Sequence, residues 1–297
     1  MSIFFAAPAE LKIALNASSA SGQEANRLPA GLAFLIHRTL NLPEAFLLFF
    51  ASAIAGALNA VAGGGSFVSF PALLLIHVPP VQANATNTVA LWPGLSASAV
   101  AYVKHLTLPL RLLIPLLVTS VAGGWVGALL LLKTPQHTFR HLIPWLLLAG
   151  TLLFSFGNKL RAFAGRKHIA GDLQELSWLA ITIVSLAELL ISIYGGYFGA
   201  GIGFMSLAMF AVLGMQDMHA MGALRTLLAV AINAAAVVTF IAARAVLWTQ
   251  CIEMIAGALL GGWMAAHYAQ KADPVRVRYL VIATGLTMSA YFFVQLR

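Results

Sequence analysis

The hydrophobic sequence breaks at Ala62-Gly63-Gly64-Gly65-Ser66-Phe67, and it breaks again at Gly195-Gly196-Tyr197-Phe198-Gly199-Ala200-Gly201-Ile202-Gly203-Phe204 in the other half of the chain. A broken helix frees backbone N–H groups, which hydrocarbon tolerates only where they are buried in protein or face a polar ligand. Interrupted hydrophobic segments at matching positions of a duplicated sequence are typical of the binding site of a secondary transporter. We therefore expect a protein that moves a small solute across a bilayer.

The composition is that of an integral membrane protein. Of the 297 residues, 61% are hydrophobic and 9% are charged, whereas soluble domains are about 25% charged. The net charge of +8 is interpreted as loop Lys and Arg that orient a membrane protein and meet lipid headgroups, not as a nucleic-acid site. A lone Cys251 excludes a disulfide within the chain and a cysteine metal cluster. We expect membrane lipid as a partner, and neither a cofactor nor a metal.

Ten apolar segments follow Glu44. A full crossing needs about 20 residues, so the two segments that directly follow the glycine breaks, 66–77 and 202–216, are interpreted as half-helices. The segments of the first half are 45–62, 66–77, 85–103, 112–132 and 142–157, and those of the second are 176–198, 202–216, 220–243, 250–270 and 279–296.

The two halves are a sequence repeat. Phe67 pairs with Phe204 at an offset of 137, and Gly123-Gly124-Trp125 pairs with Gly261-Gly262-Trp263 at an offset of 138. The fold class predicted is an all-α polytopic membrane protein with two homologous halves of about five helical segments each. The predicted domains are an extension at 1–43 that is at most an interfacial helix, a first repeat at 44–157, a basic linker at 158–175 and a second repeat at 176–297.

The Lys and Arg residues of the loops favour an inverted repeat. With five crossings in each half, the linker side carries nine of them (Lys104, Arg111, Lys159, Arg161, Arg166, Lys167, Lys271, Arg276, Arg278) and the opposite side three (Lys133, Arg140, Arg244). Because Lys and Arg collect in cytoplasmic loops, the linker is placed inside the cell. If each broken pair counts as one crossing instead, the loops divide seven against five, which is a much weaker bias.

Several motifs resemble one known family, the sulfite exporter TauE/SafE-like (TSUP) anion permeases. In the first half the resemblance lies in Asn59-Ala60-Val61-Ala62-Gly63-Gly64-Gly65-Ser66-Phe67, in Phe70-Pro71-Ala72-Leu73 and in the stretch from Pro79 to Gly94. In the second it lies in the stretches from Tyr194 to Gly203 and from Leu224 to Asn233. The resemblance covers about residues 44–297. It implies a multi-pass permease of the inner (plasma) membrane for small anions, often sulfur-containing ones such as sulfite, thiosulfate, sulfonates or sulfoacetate.

Residues at the breaks and in the polar zones are the candidate contacts for the anion. A half-helix N-terminus binds anions without a basic side chain, and a guanidinium fork suits two oxygens of a sulfite or sulfonate group. The candidates are Gly63, Gly64, Gly65, Ser66, Asn84, Thr86, Asn87, Thr88, Gly199, Ala200, Gly201, Gly203, Arg225 and Asn233.

Each candidate also has a structural interpretation. The glycines suit close helix packing, and the Asn and Thr residues suit the N-terminal cap of the following helix. Arg225, which occupies the repeat position of Thr88, is able to extend to the headgroups. Asn233, eight residues further on and near the same helix face, is able to bond a neighbouring helix. Where many similar sequences carry Lys, this chain has Arg225.

Glu188 is the only acid well inside a long apolar segment, at a position where we expect a neutral Gln in similar sequences. An ionisable group at that depth marks a functional site by default. It is a candidate to bind a proton that moves with or against the anion, or to pair with an Arg such as Arg225.

The function predicted is a secondary transporter for a small anion that works by alternating access around a site at the repeat interface. The sequence contains no phosphate-binding GxxxxGK[ST] motif, so nucleotide-driven pumping would need a separate subunit. The alternative is a membrane-embedded enzyme or redox subunit.

Overall fold

The computed structural model describes residues 41–61, 64–102, 106, 108–164, 176–215, 217–268 and 274–295. The chain divides into two compact units, Met1–Leu42 and Pro43–Arg297, and nearly all described residues belong to the second. The predicted extension at 1–43 and most of the linker at 158–175 therefore lie outside the described residues.

The described residues form ten α-helices and no strand. They are α1 Leu42–Val61, α2 Ser66–Leu75, α3 Pro80–Tyr102, α4 Leu110–Lys133, α5 Gln136–Ala164, α6 Trp178–Tyr197, α7 Ile202–Val212, α8 Met218–Ala242, α9 Trp248–Tyr268 and α10 Pro274–Gln295.

Four helices in the described part of the chain are long and apolar enough to cross a membrane, namely α1, α4, α6 and α8. Shorter apolar helices are α2, α7 and the Val281–Gln295 part of α10. Large apolar side chains such as Trp125, Leu190 and Val238 are more than half exposed. An apolar surface of this extent is suited to lipid, not to water.

The helices end and begin at the two glycine runs. α1 ends at Val61 and α2 begins at Ser66, while α6 ends at Tyr197 and α7 begins at Ile202. Glycines in the left-handed region, which suits residues without a Cβ, make both turns: Gly64 has φ 97°, and Gly199 and Gly201 have φ 81° and 84°. Gly203 lies inside the first turn of α7 and not in the break, which corrects the sequence-based placement.

The short helices α2 and α7 have matching ends at an offset of 137. Before their N-termini lie Gly64 and Gly201, and after their C-termini lie His77 and Gly214, all four with positive φ. The residues that follow His77 and Gly214 each donate their backbone N–H to the carbonyl oxygen five residues earlier, Val78 to Leu73 and Met215 to Phe210, at 3.1 Å in both cases. This is the hydrogen bond of a Schellman motif, which ends a helix abruptly.

Two predicted boundaries need correction. α3 begins at Pro80, not near residue 85, because a proline suits the first helical position, where no N–H bond is needed. The polar residues Asn84 to Thr88 therefore lie inside the helix and do not cap it. α5 begins at Gln136, so Arg140 is helical, and only Thr134-Pro135 separates α4 from α5.

Helices from the two halves pack on each other closely. α4 packs on α6 and α8, α3 on α8 and α9, and α5 on α7 and α10. α9 lies against α1, since a Cβ added to Gly56 would lie 2.1 Å from the carbonyl oxygen of Ala258. In the same way, a Cβ on Gly127 of α4 would lie 2.1 Å from the carbonyl oxygen of Ile193 in α6. Small residues allow such backbone approach in membrane proteins.

Candidate functional site

A cavity of about 100 Å³ lies where the two helix breaks meet. Since one water molecule needs roughly 10–15 Å³ of such space, the cavity has room for a small solute. Its lining comes from α1, α2, α3, α7, α8 and the two breaks: Asn59, Gly64, Ser66, Thr88, Leu91, Trp92, Leu95, Ser98, Phe198, Gly199, Ala200, Gly201, Ile202, Gly203, Phe204, Arg225, Thr226, Ala229 and Asn233.

The first break is held by an amide. Asn59, near the end of α1, accepts a 2.8 Å hydrogen bond from the N–H of Gly65 through its Oδ1. Gly65 itself is buried and does not line the cavity, whereas Gly64 and Ser66 do. Gly63 lies outside the described residues. The amide of Asn59 thus fixes the chain where α2 begins.

The candidates Gly199, Ala200 and Gly201 of the second break line the cavity, as does Gly203 in the first turn of α7. The hydroxyl of Tyr194 in α6 donates a 2.8 Å hydrogen bond to the carbonyl oxygen of Ala200. The break is therefore tied back to the helix that precedes it, as the first break is.

The N-termini of α2 and α7 both reach this cavity. Ser66 begins α2 and Ile202 begins α7, and both residues belong to the lining. The first N–H groups of a helix have no partner within it, and each N-terminus carries roughly +0.5 elementary charge. Two partial positive charges therefore converge on one small space.

Arg225 adds a full positive charge to the same space. It lies on α8 against the first turn of α7, because a Cβ added to Gly203 would be 3.1 Å from its Cδ and 3.5 Å from its Nη1. Of the described residues that line the cavity, Arg225 is the one basic side chain, and none is acidic. Arg225 therefore lies beside the first turn of α7 and lines the cavity.

The polar cluster on α3 divides between two roles. Thr88 lines the cavity, and its hydroxyl donates to the carbonyl oxygen of Asn84 at 2.9 Å. The structure places Asn84, Thr86 and Asn87 outside the lining and at least 98% buried. Each joins α3 to another element: Asn84 Nδ2 donates to the carbonyl oxygen of Tyr197 (3.0 Å), Thr86 Oγ1 accepts from the N–H of Leu247 (3.0 Å), and Asn87 Oδ1 accepts from Ser69 Oγ (2.5 Å).

Asn233 also lines the cavity. Its Nδ2 donates to the carbonyl oxygen of Ala229 within α8 at 2.8 Å. Arg225, Ala229 and Asn233 follow each other at intervals of four and share one face of the helix.

Sequence reasoning missed several lining residues. Asn59 and Trp92 lie inside the quoted motifs. Their spacing in the sequence does not indicate whether their side chains line a cavity or pack against another helix. On α3 a signal exists: Thr88, Leu91, Leu95 and Ser98 recur at intervals of three or four, which is the spacing of one helix face.

Glu188 lies outside the cavity lining, in the contact between α4 and α6. The side chain is fully buried. Its Oε1 accepts hydrogen bonds from the hydroxyls of Ser120 (2.9 Å) and Ser192 (3.2 Å), while its Oε2 has no hydrogen-bond partner among the described residues. The polar partners of this acid are therefore two serines, and not Arg225, a pairing that the sequence left open as one of two alternatives.

Candidate metal ligands do not cluster in the described part of the chain, where no group of three His, Cys, Asp or Glu residues is placed to hold an ion. Cys251 is buried in α9.

Comparison with known proteins shows which family the chain resembles. Residues 48–292 match the family described as sulfite exporter TauE/SafE. A probable membrane transporter protein of Haemophilus influenzae is 29% identical over 245 residues, covering 82% of this chain and 92% of that protein. ORF9 of Sinorhizobium sp, also named a probable membrane transporter protein, is 28% identical over 248 residues, covering 82% and 89%.

A third relative, the probable membrane transporter protein YfcA of Escherichia coli strain K12, is 24% identical over 245 residues, covering 82% of this chain and 87% of that protein. No solved structure matches the chain significantly. The predicted family is confirmed, because the match spans most of the sequence. The chain belongs to the sulfite exporter TauE/SafE family and is a multi-pass membrane transporter.

Proposed function

We propose that this transporter carries a small anion, either a sulfur-containing oxyanion or an organosulfonate, across the inner (plasma) membrane. The observation that carries the proposal is the convergence of two half-helix N-termini and Arg225 on one cavity. This arrangement of positive charge would repel a cation and would not favour a neutral solute, but it would attract an anion.

The charges of the site favour an anion by a wide margin. Two helix N-termini of roughly +0.5 each and one guanidinium supply about two positive charges. None of the described lining residues is acidic, so none of them offsets that charge. Hydrogen bonds from a charged donor to a charged acceptor are also roughly twice as strong as neutral ones. The site is therefore suited to oxyanions with one or two negative charges.

The lining offers separate surfaces to the two ends of an organosulfonate. The backbone at Gly201 and Gly203 and the side chain of Arg225 line the cavity and would bind the charged group. Trp92 and Phe198 supply apolar surface in the same cavity, which suits a short carbon chain. A purely inorganic oxyanion would use the first surface alone.

The helix contacts support a pseudo-two-fold axis that relates the halves. α4 of the first half packs on α6 of the second, and α9 of the second packs on α1 of the first. The indole N–H of Trp92 donates to the carbonyl oxygen of Val230 at 3.3 Å, and Val230 is the residue next to Ala229, the equivalent of Trp92 at the offset of 137 that pairs Thr88 with Arg225. A residue that contacts the neighbour of its own equivalent lies near the two-fold axis.

With five helices in each half, the axis would lie in the membrane plane and the repeats would be inverted. A site beside such an axis is accessible from either side if one half rocks against the other. We infer alternating access of this kind, with the linker at 158–175 inside the cell. The anion would then bind to the same groups from both sides.

Flux into proteoliposomes tests the proposal. Labelled sulfite, thiosulfate and sulfoacetate are compared with acetate, each with and without a pH gradient. We expect saturable uptake of at least one sulfur anion and little uptake of acetate. Arg111→Gln is the matched control for Arg225→Gln, because Arg111 lies 4.1 Å from the ring of Trp178 and away from the cavity lining. Absence of saturable flux for every anion, or equal flux of acetate, would contradict the proposal.

A further inference from the structure

The contact between α4 and α6 holds a buried carboxyl group that the anion site does not use. Glu188 is 0% exposed, and both serines that bond its Oε1 are also buried. Its other oxygen, Oε2, has no partner in the described part of the chain. The hydroxyl of Ser185, three residues earlier on α6, is likewise buried and without a described partner.

The other half of the protein shows that packing does not require this acid. The corresponding contact between α1 and α9 is built from small residues: Ser52 and Gly56 on α1 lie against Gly257 and Ala258 on α9. Along α1, Glu44 in the first turn is the one ionisable residue. The close approach of α1 to α9 at Gly56 therefore involves no carboxyl group, whereas the contact between α4 and α6 contains Glu188.

The hydrogen bonds of Glu188 suit a neutral carboxylic acid. A carboxylate has two equivalent acceptor oxygens, and leaving one of them unpaired in a membrane-spanning helix is costly. In a carboxylic acid, one oxygen accepts and the other bears the proton. The two serine hydroxyls converge on Oε1 alone, so a proton on Oε2 would remove an unpaired negative charge from the contact.

Few other titratable groups face the helix that carries Glu188. Among the helices packed on α6, α4 has Arg111 and Lys133 at its two ends, α8 has His219 and Arg225, and α7 has none. Of these, Arg225 lines the cavity. Arg111, Lys133 and His219 lie at or near helix ends. None of the four is an acid, so among these packed helices Glu188 is the one carboxyl group in the described structure.

We propose that Glu188 is the proton-binding site of this transporter and couples proton movement to anion transport. This inference rests on the proposed function. α6 continues for about two and a half turns from Glu188 to the second helix break, and it also packs on α7 and α8, which line the cavity. Loss of the proton would bring a water molecule or a donor into the α4–α6 contact. The resulting repacking would shift the helix whose end forms the anion site.

Two transport assays on the variant Glu188→Gln test the coupling. Gln keeps the size and the acceptor oxygen but binds no proton. We expect a pH gradient to change anion accumulation in the wild type and to have no effect in Glu188→Gln, while exchange of labelled for unlabelled anion persists in both. The control is Glu253→Gln, which removes the acid of α9 and should keep the wild-type response to the gradient. A gradient response in Glu188→Gln equal to that of the wild type overturns the inference.

Infrared spectroscopy gives a readout that does not depend on transport. The carbonyl stretch of a protonated carboxyl group should be present at neutral pH in the wild type and in Glu253→Gln, and one such band should be missing in Glu188→Gln. If the wild type and Glu188→Gln have the same band, Glu188 is ionised and the inference is wrong. Anion exchange without any effect of the pH gradient in the wild type also overturns it, but leaves the proposed function standing. Loss of all anion flux in the wild type contradicts the proposed function instead.

Discussion

Arg225 and Gly203 form a pair in which the glycine makes room for the guanidinium. The ideal Cβ position on Gly203 lies 3.1 Å from Cδ of Arg225, which is closer than ordinary van der Waals contact. The absence of a side chain at the start of α7 thus lets a long cation lie along a helix N-terminus. Both groups then act on the same small volume.

The first prediction concerns the charge of Arg225. Arg225→Gln should cost about 1.5–3 kcal/mol of anion binding, the scale of a hydrogen bond to a charged group. The half-saturating concentration in flux assays should therefore rise roughly tenfold to a hundredfold. The half-saturating concentration of Arg225→Lys should lie between those of the wild type and Arg225→Gln, because Lys keeps the charge and lacks the planar guanidinium. Wild-type affinity in Arg225→Gln would remove this residue from the site.

The second prediction concerns the space beside Arg225. Gly203→Ala should weaken anion binding severalfold with little change in stability, because the added methyl group displaces the guanidinium while φ remains helical. The matched control is Gly222→Ala on α8, where an added Cβ meets no atom within 4 Å. Direct binding measurements on detergent-purified protein compare the two. Equal affinity in both variants would show that the position of Arg225 is not critical.

At the scale of helices, two short helices with similar termini line the cavity of the proposed site. α2 and α7 each begin after a glycine with positive φ and end at a residue with positive φ. Helices of 10 and 11 residues are too short to span a bilayer, which needs about 20 residues. Their N-termini are therefore able to lie within the membrane, where surrounding protein shields them.

The third prediction concerns the backbone of the second break. Gly201→Ala should lower the free energy of unfolding by about 1–2 kcal/mol, the cost of a left-handed conformation for a residue with a Cβ. Crowding against the carbonyl oxygen of Gly150, 3.1 Å from the added atom, adds to that cost. Gly94→Ala, inside α3 with no atom within 4 Å, should instead be neutral or slightly stabilising. Thermal unfolding in detergent measures both, and the two effects should have opposite signs.

At the scale of the whole molecule, each half completes the other. α4 packs on the first helix of the second half, and α9 on the first helix of the first half. The cavity takes its lining from both halves. Neither half would hold the proposed site alone, since each N-terminus, α2 and α7, belongs to a different repeat.

The fourth prediction concerns orientation. In a Cys251→Ala background, which removes the buried native thiol, single cysteines are placed at exposed Pro135 and Ala243, and in the linker at Arg166. If the repeats are inverted and the linker is inside, a membrane-impermeant maleimide added to intact cells should label Pro135→Cys and Ala243→Cys. Arg166→Cys should react only after the membrane is opened. Labelling of Pro135→Cys and Ala243→Cys on different sides would contradict the ten-segment topology.

The sequence by itself determined the family, the membrane-embedded helices and the two breaks. These features are local: hydropathy sets which segments lie in lipid, and glycines with positive φ, such as Gly64 and Gly201, set where a helix stops. The repeat offset of 137 also relates the positive-φ residues at the two ends of α2 and α7. The start of α3 was predicted less accurately, because the helix begins at Pro80, before its apolar stretch.

Only the tertiary structure decided which polar residues face the cavity. Thr88 lines it, while Asn87, the residue before, bonds Ser69 on α2. Asn59 lines the cavity although the sequence did not predict it, and Glu188 lies in a separate contact with Ser120. The direction in which a side chain points depends on the rotation of its helix and on the partner packed against it. Those partners lie far apart in the chain, so local sequence pattern does not specify them.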